Sequence, residues 1–255
     1  MASFFYFLSE VPSMKIYSCR FTLKQLVLFC GSLLIFVLLC LILRTENPCL
    51  PTWTAQTGAT CRVDTKGEKK IAITFETLGE GDTENLLALL GSHQVYATFF
   101  LEGRWVLRHP EETKAIAAAG HEIGTHSQTH PRNLCTLDTQ SMQHELLEPI
   151  VSIQDLIGYS PTLFRPPYGF WNEKLIAQGN SLGLETVLWD VDSLDWKNRS
   201  PQEIRQFVLK ESGPGSILRF QNIAINTISA LDLILEDFQE QGYQMVTVSE
   251  LLALE

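Results

Sequence analysis

The chain has 255 residues, 45% of them hydrophobic and 19% charged, and a formal net charge of −10 at pH 7. That length holds one sizeable domain plus an accessory segment, and the composition excludes a disordered chain. From residue 45 onward, 15 Lys and Arg stand against 28 Asp and Glu, a poor match for nucleic acid or anionic lipid, so no nucleic-acid partner is expected.

The first element in chain order is QLVLFCGSLLIFVLLCLIL, residues 25–43, nineteen residues without a charge. As a helix it spans roughly 28 Å, close to the ~30 Å hydrocarbon core of a bilayer. It has no polar face, exceeds a signal-peptide core, and ends without a small-residue cleavage site, so an uncleaved single-pass anchor is expected. Lys15, Arg20 and Lys24 precede the run and only Arg44 follows it closely. This bias predicts cell-membrane residence, with residues 1–24 cytoplasmic and everything after the span extracytoplasmic. Met14 opens MKIYSCRF, a more usual basic start to an anchor, and is the expected first residue.

Residues 44–67 read as an extracytoplasmic linker leading to a domain over residues 68–255. Cys19 precedes the span, and Cys30 and Cys40 lie in it. Cys49 and Cys61 would close a small loop in an oxidising compartment or remain separate thiols. Cys135 reads as a packing residue.

Beyond the linker, short β-rich runs alternate with helical patterns. Strands are expected at Lys70–Phe75, Val95–Leu101, His121–His126, Leu163–Arg165, Thr186–Val191, Ser216–Phe220 and Gln244–Val248. Helices are expected over Thr83–Leu90, from His109-Pro110 to Gly120, Asp138–Leu156, Asn172–Leu182, Pro201–Lys210 and Thr227–Gln241. Seven β–α alternations within about 190 residues predict an α/β fold, a parallel sheet closed or nearly closed into a deformed barrel. Functional groups then belong at the C-terminal strand ends.

The chemically suggestive residues all fall there. His126-Ser-Gln-Thr-His130 follows the third strand. Two imidazoles four apart on a helical turn can share a metal ion, with Zn²⁺ the natural choice, although most such pairs are incidental. Ser127 after the first His excludes the zinc-protease pattern. Arg165-Pro-Pro-Tyr-Gly169 is a stiffened loop that can aim an Arg at a carboxylate and a backbone N–H at an oxyanion, or an ordinary turn. Asp192-Ser-Leu-Asp195-Trp196 reads equally as a capping turn or as an acid beside an aromatic wall for a sugar. Glu76, leaving an apolar strand, either needs a partner, with Arg165 the candidate, or is an ordinary surface residue at a strand end.

Taken in order, these motifs resemble the polysaccharide deacetylase family, also called the NodB-homology or carbohydrate esterase family 4 domain. The resemblance covers nearly all of residues 68–254, including GHEIGTHSQTHP, LFRPPYG, VLWDVDSLDWKN and GYQMVTVSELL, and lies closest to the branch found in spore-forming bacteria. It implies a deformed (β/α) barrel of about seven units and metal-assisted removal of acetyl groups from N-acetylated sugars of peptidoglycan or chitin-like chains. By the same resemblance His126 and His130 are the metal ligands, and Glu76, Arg165, Tyr168 and Asp195 are catalytic. Trp196, Pro167, Gly169 and Gln221 are then substrate-binding.

Two positions depart from the family. Thr77 replaces an expected metal-binding Asp. GSILRFQN stands where the family ends Leu-Leu-His-Asp, so Gln221 replaces the acidic His, and an amide cannot donate that proton at neutral pH. A metal-dependent carbohydrate N-deacetylase is therefore the expectation, with a degenerate, glycan-binding member as the alternative.

Overall fold

The computed structural model describes residues 58–255. The expected anchor, the N-terminal segment, Met14 and Cys49 lie outside the described residues. Within them, no helix is long and apolar enough to cross a membrane.

The strands are β1 (Ala59–Thr60), β2 (Lys70–Thr77), β3 (Thr98–Leu101), β4 (Glu122–Thr125), β5 (Leu163–Phe164), β6 (Glu185–Val187), β7 (Val191–Asp192), β8 (Ile217–Gln221) and β9 (Gln244–Val246). The helices are α1 (Thr83–Ser92), α2 (Gly103–Arg108), α3 (Pro110–Ala118), α4 (Thr139–Ile157), α5 (Glu173–Ser181), α6 (Pro201–Glu211), α7 (Thr227–Glu240) and α8 (Val248–Leu252). The sheet runs β1-β6-β5-β4-β3-β2-β8-β7, with β9 joined to the opening of β2, and every ladder is parallel.

The order matches a deformed barrel that curls without closing: β1 ends one edge, β7 the other, and no ladder joins β6 to β7. The strand expected over Thr186–Val191 divides there, because residues 188–190 leave the ladder between β6 and β7.

Period-two alternation splits each long strand between two cores. Ile71, Ile73 and Phe75 of β2 pack with Phe99, Leu218, Phe220 and the helix residues Ile204, Leu231 and Ile234. Ala72 instead joins Phe100, Leu163, Val187 and Ile217 inside the curl. The inner face of β2 then continues through Thr74 to Glu76, both buried. An apolar floor thus gives way to polar groups at the C-terminal end of the sheet.

Helix ends follow local chemistry. Asp138 caps α4 by accepting from the N–H groups of Gln140 and Ser141, and Gly158, at φ 84°, ends it in a left-handed turn. Ser200 and Glu203 form a capping box on α6.

Three short elements escape the periodic pattern: β1, α2 and α8, none longer than six residues. Part of the expected linker belongs to the fold. β1 pairs with β6, and Val63 is buried with its N–H on Gly215 O at 3.0 Å.

Candidate active site

Glu76 leaves the end of β2 on the inner face and is almost wholly buried. Three cationic or imidazole groups surround it. Arg219 Nε lies 3.3 Å from Oε2, His126 Nε2 3.9 Å from Oε2, and Arg165 Nη1 3.9 Å from Oε1. The expected Glu76–Arg165 pairing is present as a charge contact without a direct hydrogen bond. Glu76 Oε1 has no hydrogen-bond partner.

Arg165 follows β5 and is fully buried. Its donors go elsewhere: Nη1 to Thr74 Oγ1 at 2.8 Å, Nη2 to Leu188 O at 2.7 Å. Its Cζ sits 4.0 Å from the Phe100 ring centroid. Burial lowers its pKa to about 9, which still leaves it charged at neutral pH. Pro167 is buried, and Tyr168, at φ 59°, stands 43% exposed at the rim with its ring centroid 4.6 Å from that of His130. Gly169 is needed as glycine: at φ 72°, an added Cβ would come within 3.0 Å of the Trp189 ring.

His126 and His130 do come together, with ring centroids 4.8 Å apart. They do so on a bent loop rather than the expected helical turn, since Ser127 and His130 adopt left-handed backbone at φ 63° and 54°. The loop is held by Glu145 of α4, whose carboxylate accepts from Gln128 N, Thr129 N and Thr129 Oγ1 at 3.1, 2.9 and 2.7 Å.

His126 Nδ1 lies 2.8 Å from Arg165 O, so this nitrogen carries the proton and Nε2 presents its lone pair. That Nε2 is buried and has no hydrogen-bond partner. Burial lowers the His126 pKa to about 3 and that of His130 to about 4, so both imidazoles are neutral at pH 7.

Asp195, expected as a catalytic residue, is engaged by neighbouring donors. Its Oδ2 accepts from Gln221 N at 2.9 Å and Thr227 Oγ1 at 2.7 Å, and its Oδ1 from Trp196 N at 2.9 Å. It fastens the backbone at the end of β8 to the Thr227 hydroxyl at the start of α7. Burial raises its pKa against these bonds. Trp196 is 47% exposed. Gln221 continues the inner face of β8 beside Glu76, its register partner.

Two site residues lie outside the motifs. Glu145 is an acid among Met142, Leu146 and Pro149 on the buried face of α4, and that misplacement was its signal. Arg219 interrupts the apolar strand SILRF, which was its signal. Both were readable as lone charges at core positions.

The donor set does not fit a divalent ion. The unpartnered His126 Nε2 beside Glu76 favours one, but Glu76 Oε2 already faces the Arg219 guanidinium. Thr77 alternates away from Glu76, its hydroxyl 3.5 Å from Phe100 O. Among the described residues, no three His, Cys, Asp or Glu side chains form a metal-holding group. The expected zinc site is therefore not met by these residues.

The polysaccharide deacetylase family model matches residues 63–187. The peptidoglycan-N-acetylglucosamine deacetylase PgdA of Listeria monocytogenes is 35% identical over 187 residues, 73% of this chain and 39% of the relative. The chain thus spans about two fifths of that relative's length. The peptidoglycan-N-acetylmuramic acid deacetylase PdaA of Bacillus subtilis is 32% identical over 190 residues, covering 72% of each. A solved carbohydrate esterase family 4 pseudoenzyme of Bacillus anthracis matches with a TM-score of 0.73 at 31% identity, covering 77% of this chain and 69% of that one.

Proposed function

Because the chain belongs to the polysaccharide deacetylase family, we propose that its rim receives the N-acetyl group of a peptidoglycan-type glycan and that its main activity is binding. The observation that carries this reading is the site's composition. Glu76, His126 and Arg165 are buried together, and the aromatic residues Tyr168 and Trp196 are exposed. Exposed aromatic faces suit the apolar face of a pyranose ring.

The hydrolytic parts are incomplete. Gln221 cannot donate a proton to the leaving amine, and loss of a general acid removes about 10²–10⁴ in rate. Asp195 spends its carboxylate on two backbone N–H groups and the Thr227 hydroxyl. A relative of the same fold is itself described as a pseudoenzyme.

Hydrolysis of the acetamide C–N bond is the second reading, favoured by the unpartnered His126 Nε2 beside Glu76. Full-length protein in detergent, titrated with N-acetylglucosamine oligomers, decides between them. Binding with acetate release more than about 100-fold below that of an active relative supports the first, and comparable release supports the second. Trp196→Ala is expected to weaken binding about threefold to tenfold, and unchanged affinity would remove the aromatic wall from the argument.

The layout of anchor, linker and extracytoplasmic domain follows from residues 25–43 and the flanking charges. Retention of full-length protein in membranes after a high-salt wash supports it, and release by salt alone overturns it.

A further inference from the structure

Arg219 occupies the place of the first leucine in the Leu-Leu-His-Asp pattern that the family carries. The alternation of β8 sends Leu218 and Phe220 into the outer core and leaves Ile217, Arg219 and Gln221 facing inward. The guanidinium is held there on three sides. Its Cζ lies 4.3 Å from the Trp189 ring centroid, Nη1 lies 3.6 Å from Asp192 Oδ2, and Nε lies 3.3 Å from Glu76 Oε2.

Three polar atoms at this point are buried and lack a hydrogen-bond partner: Arg219 Nε, Glu76 Oε1 and His126 Nε2. One is a donor and two are acceptors. Leaving all three unmet is costly, and a group that offers both a carbonyl and an N–H would satisfy the donor and one of the two acceptors. A secondary amide has that pattern. A divalent ion does not, because it would sit against a fixed guanidinium.

We propose that Arg219 is the built-in cation of this site, taking the place of a metal ion and receiving the acetamide carbonyl on its guanidinium while the Glu76 carboxylate accepts from the amide N–H. The inference rests on the reading that an N-acetylated sugar binds here. A guanidinium polarises a carbonyl but does not release a proton, so binding is served and the acid step is not.

Full-length protein in detergent, stripped with EDTA, is titrated with the N-acetylglucosamine tetramer and separately with zinc chloride. The expected result is tetramer binding unchanged by EDTA and no stoichiometric zinc uptake. Arg219→Met is expected to weaken tetramer binding roughly tenfold or more. Arg219→Lys keeps a positive charge for folding while losing Nε, and it is expected to weaken binding as well. One zinc bound per wild-type chain, tetramer binding that needs zinc, or a folded Arg219→Met variant of wild-type affinity would each overturn the proposal. Failure of the wild-type chain to bind the tetramer would sink the preceding reading, and the zinc titration alone then decides whether Arg219 excludes a metal.

Discussion

Glu145 shows how far from the groove a single carboxylate can act. It reaches from α4 to two backbone N–H groups and one hydroxyl of the loop that carries His130. Glu145→Ala strands the Thr129 N–H and hydroxyl, while Gln128 N keeps its bond to the Glu145 backbone carbonyl at 2.9 Å, and is expected to cost about 1–3 kcal/mol of stability, read from denaturant midpoints. His130 should be displaced as well, so glycan affinity falls even where the fold survives. Unaltered affinity in a folded Glu145→Ala protein would show that the loop holds its shape unaided. Reversion of the altered motif residues is a second matter at this scale. Gln221→His with Thr77→Asp restores an acid and a ligand on paper but leaves Arg219 against Glu76. That double variant is expected to release no acetate with zinc present, while adding Arg219→Leu opens the space. Turnover by the double variant would show that Arg219 is no obstacle.

At the level of elements, the turn before β8 ties residues 59–63 to the sheet. Gly215 donates to Lys70 O at 2.7 Å and accepts from Val63 N at 3.0 Å, at φ 84°. An added Cβ would fall 1.8 Å from Val63 O. Gly215→Ala must therefore push Val63 off the sheet, at a cost of about 1–3 kcal/mol, and should raise protease sensitivity around residues 58–63. A variant with wild-type midpoint and cleavage pattern would contradict that geometry. The same turn illustrates what the chain reveals in advance. Long periodic elements such as α4, and the apolar runs of β2 and β8, were legible from spacing and caps. β1 and α8 were not, because two and five residues are too few to show a period. The site was half legible for a related reason. Strand ends and motif residues locate Glu76, His126, His130 and Arg165. The left-handed turns of the His loop, the backbone duties of Asp195 and the inward aim of Arg219 depend on tertiary partners that no local pattern carries.

Across the whole molecule, the buried histidines lower stability in acid, and carboxylates whose pKa is raised by burial, such as Asp190 and Asp195, work against them. His121 packs 5.3 Å from the Phe99 ring centroid, and its Nδ1 accepts from Ala97 N at 3.2 Å, so it is held neutral. Burial lowers its pKa to about 4, against an unfolded value near 6.5. As pH falls, the unfolded chain takes up the proton first. The stability contributed by the neutral ring is complete above about pH 6.5 and drains away as pH approaches about 4. His126 and His130 act in the same direction. Urea midpoints should therefore fall between about pH 6.5 and 4, and His121→Gln should flatten that dependence. A midpoint flat across this range would show that these rings are not held uncharged by the fold.

The central position of β2 carries a consequence for assembly. Its eight residues pair with β3 on one side, with residues 217–221 on the other, and with residues 244–246 at its opening. The strand that holds Glu76 is thus the first long one made and the last one fully clasped. Some 140 to 170 intervening positions must be threaded before its partners arrive, a topology that folds slowly. During that interval an apolar strand open along the flank of β8 awaits its neighbour, and any factor that shields Ile71, Ile73 and Phe75 would govern how much of the chain matures.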